Sequence, residues 1–434
     1  MGKKISKKTY VQKQQRERNK QIDEQEKKID KEKERIKFER KEKTKKFLLR
    51  LGAISLCLVF CLLIFGSIGF FVYYKKKQTN KVFWCGLVAV EYENKWGYIN
   101  SRGKKKIDFT YEFAYNFTKN KLALVGFDSK FGYINTKGEY VIDPIYDNAT
   151  SFSGEVAICK LNGKFGTINS KGETVADFIY SDIKEYSDDY AIAVKDGKYG
   201  IIDKKGNIII DFSYEKIDSV NETYFKYYKD GSIYLGFIDK SQISDTFFTD
   251  SFQEITLLKN GYAIYKRKGL YGYLNNKKEI VVENKFTSLT YQKGKYLSYS
   301  TTGDLYGFLD FDGNIFIRER FLYVSCFDNY AVVKYSGDEK YYIINDKVKH
   351  TYSIKCNFVD AFYKNRAVFK QGDYYGVISP KGKVMLEAEY KYISHIYDDG
   401  YAIIMDKNSN YGIARVDGSI IVEPKYSNIA YSGK

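Results

Sequence analysis

Few residues of this 434-residue chain have the types and spacing that catalysis or metal binding requires. Its two histidines, His350 and His395, lie at no metal-ligand spacing and beside no serine or cysteine nucleophile motif. The six cysteines include no Cys-x-x-Cys pair, which argues against a zinc site or a dense disulfide framework. No phosphate-binding glycine loop follows a strand pattern. We therefore expect a protein that is not an enzyme and that needs no cofactor or metal.

Two shorter motifs invite other chemistry. The segment "LDFDGN", Leu309 to Asn314, resembles the start of a calcium loop but lacks the third acidic position and the distal glutamate. Asn116, Asn148 and Asn221 each stand in an Asn-x-Thr triplet, the acceptor pattern for N-glycosylation. Such triplets are common by chance in an Asn-rich chain. For the segment at 309–314, we expect a turn between strands.

The recurring chemical feature is an aromatic residue followed by glycine. The glycines are spaced by 34 to 36 residues. Between Gly307 and Gly376 the spacing is two periods, and Tyr342 stands where a glycine is expected. In one further unit the residue before the glycine, Gly236, is Leu235 instead of an aromatic. The pairs are Trp96 and Gly97, Phe131 and Gly132, Phe165 and Gly166, Tyr199 and Gly200, Tyr271 and Gly272, Tyr306 and Gly307, Tyr375 and Gly376, and Tyr411 and Gly412. A row of aromatics could stack on sugars or cationic ligands, or it could form a core stripe. The exchange of Trp, Phe and Tyr favours the core, because packing depends on shape and area. We treat these positions as structural pivots, with ligand stacking as the alternative.

The elements around each pair are strands. In "DYAIAVKDGKYGIIDKKGNIIIDFSY", residues 189–214, three apolar runs are separated by turns at Asp196-Gly197 and Lys205-Gly206-Asn207. Asp-Gly between such runs is a strong hairpin signal, since both turn residues need positive φ. Ten such units over 82–434 predict a tandem array of three-stranded antiparallel meanders. Between units, aromatic and apolar residues spaced by three, such as Tyr180, Ile183 and Tyr186, predict a tight turn or a 3₁₀ piece.

The pattern "GxAxV…xGKxGYIxxxGxxVIxPxY" resembles the WG repeat, which is found mainly in bacterial proteins. The resemblance covers Val82 to Lys434, and it implies an architecture but little biochemistry. Some units depart from it: the fifth reads "YLGFID", and the eighth reads "KYYIIN" without the glycine.

The array could be an open, curved solenoid or a closed β-propeller. Thirty-five residues with three strands are few for a propeller blade, which usually has four strands. The chain also begins and ends at the same phase of the repeat, with no obvious split blade to fasten a ring. We therefore predict the open array and keep the propeller as the alternative.

The residues before the repeats predict a membrane anchor. The net charge of +17 belongs mostly to residues 1–50, which carry 20 Lys/Arg and 9 Asp/Glu. The rest of the chain has a net charge of only +6, so we expect no nucleic-acid partner. Residues 1–46 read as a basic helical or disordered tail, and Gly2 lies in an N-myristoylation pattern. Leu51–Tyr74 is a run of 24 residues without a charge, which predicts a transmembrane helix; with its flanking residues this segment covers 47–77. Glu32–Lys46 holds eight Lys/Arg against four in Lys75–Ala89, which predicts a cytoplasmic N-terminus.

These observations predict a single-pass cell-membrane protein whose repeat domain lies outside the cytoplasm. Because repeat arrays offer long surfaces and no catalytic constellation is visible, we expect a non-catalytic surface that binds or scaffolds a protein partner. The alternative is a carbohydrate or cell-wall-binding module that uses the repeated aromatics.

Overall fold

The computed structural model describes residues 81–238, 252–258, 261–292 and 294–430. The described residues belong to one compact unit. The predicted tail, the predicted transmembrane helix and the Gly2 pattern lie outside the described residues. Within the described residues, no helix is long and apolar enough to cross a membrane.

The described part of the repeat region folds into ten antiparallel sheets, and the ten predicted units are therefore confirmed as blades. The strands of blades 1 to 5 are β1 (Leu87–Tyr92), β2 (Lys95–Asn100), β3 (Lys105–Tyr111); β4 (Phe113–Ala114), β5 (Ala123–Phe127), β6 (Lys130–Ile134), β7 (Tyr140–Tyr146); β8 (Asn148–Ala149), β9 (Val156–Leu161), β10 (Lys164–Asn169), β11 (Thr174–Tyr180); β12 (Asp182–Ile183), β13 (Tyr190–Lys195), β14 (Lys198–Asp203), β15 (Ile208–Tyr214); and β16 (Lys216–Val220), β17 (Tyr224–Lys229), β18 (Ser232–Phe237).

The remaining strands follow the same order. Those of blades 6 to 10 are β19 (Glu254–Leu258), β20 (Tyr262–Arg267), β21 (Leu270–Leu274), β22 (Ile280–Phe286); β23 (Ser288–Thr290), β24 (Leu297–Ser300), β25 (Tyr306–Leu309), β26 (Ile315–Phe321); β27 (Tyr323–Val324), β28 (Tyr330–Lys334), β29 (Tyr341–Asn345), β30 (His350–Ile354); β31 (Phe358–Val359), β32 (Ala367–Gln371), β33 (Tyr374–Ile378), β34 (Val384–Tyr390); and β35 (Tyr392–Ile393), β36 (Tyr401–Met405), β37 (Tyr411–Arg415), β38 (Ile420–Tyr426). A last strand, β39 (Asn428–Ile429), follows blade 10.

Nine of the ten described sheets are the predicted three-stranded meander with a short edge strand added, so the expectation of three strands is wrong by one for these blades; blade 5 has three described strands, β16 to β18. The link between units is this edge strand: β12, for example, pairs with β13 through Asp182↔Val194 and Ile183↔Ala193. We had predicted a tight turn or 3₁₀ piece there. A pairing of two residues leaves no alternating pattern in the sequence by which a strand can be recognised.

The array is a closed ten-bladed β-propeller, and the prediction of an open solenoid is wrong. The edge strand of blade 1 is β39, which comes from the far end of the chain and pairs antiparallel with β1. The ring is also closed by backbone bonds from Ser427 N to Glu91 O (3.1 Å) and from Ala430 N to Ala89 O (2.9 Å). This is the split blade that the sequence analysis did not find.

The hydrophobic core is divided among the blade interfaces. Ten clusters of buried residues are present, and each combines side chains from two neighbouring blades. The cluster that closes the ring joins Val88 and Val90 of blade 1 to Ile403 and Val422 of blade 10. Every blade thus buries both of its faces, which is why the main strands carry apolar runs rather than strict alternation.

The ring has two ends, which we name by their turns. The hairpin end carries the turns between the first and second main strands, such as Asn162-Gly163 and Asp196-Gly197, where both residues have positive φ as expected. The turn end carries the connections between the second and third main strands. The segment "LDFDGN" forms one of these: Asp310 Oδ1 accepts bonds from Asp312 N (3.0 Å) and Asn314 N (2.8 Å).

Candidate functional site

The aromatic-glycine pairs lie near the hairpin end, at the joint between blades. Each aromatic opens or nearly opens the second main strand and pairs across to an aromatic at the end of the third, as in Trp96↔Tyr111, Phe131↔Tyr146 and Tyr411↔Tyr426. The paired aromatics are Trp96, Phe131, Phe165, Tyr199, Tyr271, Tyr306, Tyr375 and Tyr411, and all are half-buried. Seven of the eight, all but Tyr306, pack against a core cluster between blades.

The glycine is required because the third strand bulges over it. Beyond the pair Phe131↔Tyr146, the next pair is Tyr133↔Ile142, so the third strand has two more residues than the second. A Cβ on Gly132 would lie 2.6 Å from Ile142 O, 2.7 Å from Pro144 N and 2.8 Å from Asp143 C. Equivalent backbone contacts below 3.0 Å surround Gly97, Gly166, Gly200, Gly272, Gly307, Gly376 and Gly412.

Blade 8 is a natural comparison, because Tyr342 stands where the other blades have glycine. Its third strand pairs without the extra residues, through Tyr341↔Ile354, Tyr342↔Ser353 and Ile343↔Tyr352. The glycine and the bulge are therefore lost together. Tyr342 instead packs its ring on His350, with centroids 4.9 Å apart, and His350 Nε2 lies 2.9 Å from Tyr335 Oη.

The bulge joins neighbouring blades. Its central residue projects over the glycine towards the terminal tyrosine of the preceding blade, so that Phe178 stacks on Tyr146 (6.1 Å between centroids) and Phe212 packs on Tyr180 (5.6 Å). Several pivots also lie beneath a lysine of the first main strand: Lys160 Nζ is 5.2 Å from the Phe165 ring centre and Lys266 Nζ is 4.8 Å from that of Tyr271. A bond from Tyr271 Oη to Glu254 Oε2, 2.7 Å, raises the pKa of Tyr271.

Two of the three most exposed aromatic side chains among the described residues lie at the hairpin end of blade 2. Phe113, in the edge strand, is 55% exposed, and Phe127, at the end of β5, is 48% exposed. Phe113 pairs with Gly126, the neighbour of Phe127, so the two rings project to opposite faces of the blade. Phe113 stacks on the pivot Phe131, with centroids 6.3 Å apart. The blade tip therefore presents an aromatic side chain on each face.

Charged groups hold this tip in place. Glu112 Oε2 accepts a bond from Ser129 N in the hairpin (3.2 Å), and Lys130 Nζ lies 2.5 Å from Asp147 Oδ1. The bond from Lys130, together with one from Gly163 N, lowers the pKa of Asp147. The rings of Phe113 and Phe127 are thus carried by a braced hairpin.

Sequence reasoning missed Phe113 and Phe127 because they lie outside the repeated pattern. The signal in the sequence was weak, because aromatic residues also occur at both positions in other blades. The position of Phe113 is Asn148 in blade 3 and Asp182 in blade 4, but Phe358 in blade 9 and Tyr392 in blade 10. That of Phe127 is Lys195 in blade 4 but Tyr92 in blade 1. Among the described blades, blade 2 differs in that the aromatic side chains at both positions are at least 48% exposed. Two of the three Asn-x-Thr motifs have a structural role, since Asn116 and Asn221 are buried and hydrogen-bonded, whereas Asn148 is exposed.

Comparison with known proteins identifies the repeat. The family model described as "WG containing repeat" matches residues 96–131, 131–165, 165–199, 199–231 and 375–411. No curated protein matches the chain.

Solved structures are similar only in part. They include a eukaryotic initiation factor (10% identity, TM-score 0.48, 82% of this chain and 98% of that chain). Another is Hsv2p of Kluyveromyces lactis (8%, TM-score 0.30, 54% and 91%). A third is PorZ of Porphyromonas gingivalis, titled an essential bacterial surface component of a type-IX secretion system (12%, TM-score 0.25, 63% and 44%). At these scores the similarities identify no function.

Proposed function

We propose that this WG-containing β-repeat protein is a membrane-anchored scaffold whose ring binds a protein partner without catalysis. The proposed anchor is the apolar run Leu51–Tyr74, and the charge asymmetry around it supports a ring outside the cytoplasm. The ring supplies a rigid frame, because its repeated positions are used by the packing between blades. Partner recognition is then left to exposed side chains that differ from blade to blade.

The observation that carries the binding site is the pair of exposed rings on blade 2. Exposed Phe side chains on both faces of one hairpin tip add nothing to the common core, yet rigid aromatic side chains dominate the energetics of protein interfaces. Polar groups lie beside both rings: Glu112 precedes Phe113, and Lys130, which pairs with Phe127 in the hairpin, is bonded to Asp147. This is the arrangement of an apolar centre with a polar rim.

The test is photo-crosslinking in the native membrane. A photoreactive phenylalanine replaces Phe127 at the hairpin end of blade 2. As a matched control it replaces Ile315, which lies at the turn end of the ring, in blade 7, and is 56% exposed. We expect a discrete protein adduct from position 127 and none from 315, and we expect F113A/F127A to lose that partner while keeping the melting temperature. A partner that is retained by F113A/F127A would exclude this site.

The second candidate, a carbohydrate or cell-wall-binding module, is favoured by the same exposed rings, which could stack on sugar faces. The pivots themselves are less suited to it, since seven of the eight pack between blades. Sedimentation of the purified chain with isolated wall polysaccharide distinguishes the two. Wall binding that is lost in F113A/F127A, with no protein adduct from position 127, would favour the carbohydrate function.

A further inference from the structure

The turn end of the ring carries a basic residue at the same position in most blades. Seven of the nine turns that the structure describes between the second and third main strands have an exposed Lys or Arg two or three residues after the strand. Their backbone N–H groups are fixed in most cases by an Asn or Asp at the end of the strand or directly after it; Lys137 N, for example, donates to Asn135 Oδ1 at 2.9 Å. The seven are Arg102, Lys137, Lys171, Lys205, Lys277, Lys347 and Lys381.

The turns lie at one level around the ring, because each packs against the third strand of the blade before it. A Cβ on Gly138 would lie 3.1 Å from Ile107 of blade 1, and one on Gly172 would lie 3.4 Å from Ile142 of blade 2. The same contact joins blade 10 to blade 1, where Gly103 faces Val422 at 3.9 Å. Side chains that a closed ring holds at one level can contact a flat surface together, and they match a flat partner better than a convex one.

Apolar side chains lie among these charges. The first residue of the third main strand follows the turn directly, and in five blades it is apolar and exposed: Tyr140, Ile208, Ile280, Ile315 and Val384, at 37–56% exposure. Lysines interleaved with exposed aliphatic and aromatic groups on one surface are typical of proteins that lie in a membrane interface.

The excess of positive charge is concentrated where the described chain begins. In blade 1, Arg102 and Lys104–Lys106 lie in the turn and at the start of β3, where the next acidic residue of the chain, Asp108, pairs with Lys105 at 2.6 Å; residues 380–383 in blade 9 add two lysines. Lys81 Nζ lies 5.4 Å from the centre of the Trp84 ring, and Lys81 and Lys121 are both close enough to Cys85 to act on its thiol electrostatically. Elsewhere at this end, carboxylates such as Glu139 offset the lysines, and this one bonds to Asn135 of its own turn at 2.8 Å.

We propose that the turn end of the ring docks on the surface of an anionic lipid bilayer, with the basic sector around Trp84 nearest to the headgroups. This inference rests on the proposed membrane anchor. The last apolar residue of the anchor, Tyr74, precedes Lys81 by seven residues, which extend to at most about 25 Å. A lysine near an anionic surface contributes attraction that decays within a Debye length, so several lysines must approach together.

The two tryptophans of the chain provide the test, because they lie at opposite ends of blade 1. Trp84 precedes β1 at the turn end, whereas Trp96 lies at the hairpin end, roughly 15 Å further along the strands. The full chain is placed in nanodiscs that contain nitroxide-headgroup lipid, as W96F with Trp84 alone and as W84F with Trp96 alone. Phe is the natural residue at the Trp96 position in blades 2 and 3, which makes W96F a mild change.

We expect Trp84, and not Trp96, to be quenched in discs with anionic lipid, and we expect the quenching to fall at 0.5 M salt. In the W96F background, K104Q/K105Q/K106Q should lower it to the level in zwitterionic discs. The matched control K95Q/K164Q/K198Q removes the same charge from the hairpin end and should leave it unchanged. A chain that leaves the discs overturns the anchor and this inference together. A retained chain whose Trp84 is unquenched, or equally quenched in zwitterionic discs, overturns the docking alone.

Discussion

Replacing Gly132 with alanine tests whether the aromatic-glycine pair is a joint between blades. The added methyl would lie 2.6–2.8 Å from three backbone atoms of the bulge, whereas ordinary contacts begin at 3.4 Å. The bulge must therefore move by about 0.6–0.8 Å to relieve these contacts, and the closely packed core has few gaps that could accommodate the movement. Pro144 makes that segment stiff, because its φ is fixed. We expect Gly132→Ala to lower the free energy of unfolding by about 2–4 kcal/mol.

Gly126→Ala is the matched control in the same blade. Gly126 pairs directly with Phe131, but the nearest atoms to its added Cβ belong to the exposed side chain of Phe113, at 3.1 and 3.3 Å. The ring atom at 3.1 Å can rotate away, and Phe113 Cβ at 3.3 Å is only slightly inside ordinary contact distance. Because alanine also restricts the unfolded chain, we expect a change within about 0.5 kcal/mol.

Urea unfolding measures both variants, followed by tryptophan fluorescence and by hydrogen exchange of β6. Gly132→Ala should shift the midpoint down by roughly 0.5–1 M, and β6 should lose protection first. Equal midpoints for the two variants would refute the close-approach argument, and the glycine would then need another explanation.

Two further predictions concern ring closure and pH. Asn116 accepts a bond from Ala89 N and donates to Ala430 O, both at 2.9 Å. Asn116→Ala leaves these two backbone groups at the closing strand without partners, so it should lower the free energy of unfolding in urea by about 2–3 kcal/mol. Asn148→Ala, at an exposed site, should cost little, and equal costs for the two variants would contradict the closing role of Asn116. Burial raises the pKa of Cys159 to about 12, and burial followed by the proximity of Tyr140 raises that of Tyr111 to about 12. Both groups ionise more easily in the unfolded chain, so their contribution to stability is complete below about pH 8.5–10 and is lost as the pH rises towards 12. A thiol reagent should leave Cys159 unmodified at pH 9 until urea is added, and immediate modification would show that the thiol is accessible.

The sequence predicted the blades well because their signals are local. The period of the aromatic-glycine pairs gave ten units, and the Asp-Gly and Asn-Gly turns gave the hairpins, since positive φ is a property of the turn residues themselves. The turn expected at Leu309–Asn314 is confirmed, with Asp310 accepting backbone bonds within it.

The exposed rings of Phe113 and Phe127 could be predicted only in part. The aromatic residues are visible in the sequence, but other blades also have aromatics at these positions, such as Phe358 and Tyr92. What distinguishes blade 2 is their exposure, which depends on how far neighbouring blades cover the hairpin tip. The lysines of the turn end show the same limit, because the sequence gives their spacing but not that the turns share one level around a ring.

By itself, the sequence determined an all-β array of ten meanders with a glycine-dependent pivot in most of them. Only the tertiary structure decided that the array closes. Closure depends on the angle between blades, which is set by many contacts such as Tyr146 on Phe178, and on the pairing of Asn428 and Ile429 with β1, more than 330 residues away. A strand of two residues that finds its partner at the other end of the chain leaves no local pattern, so no reading of neighbouring residues could predict it.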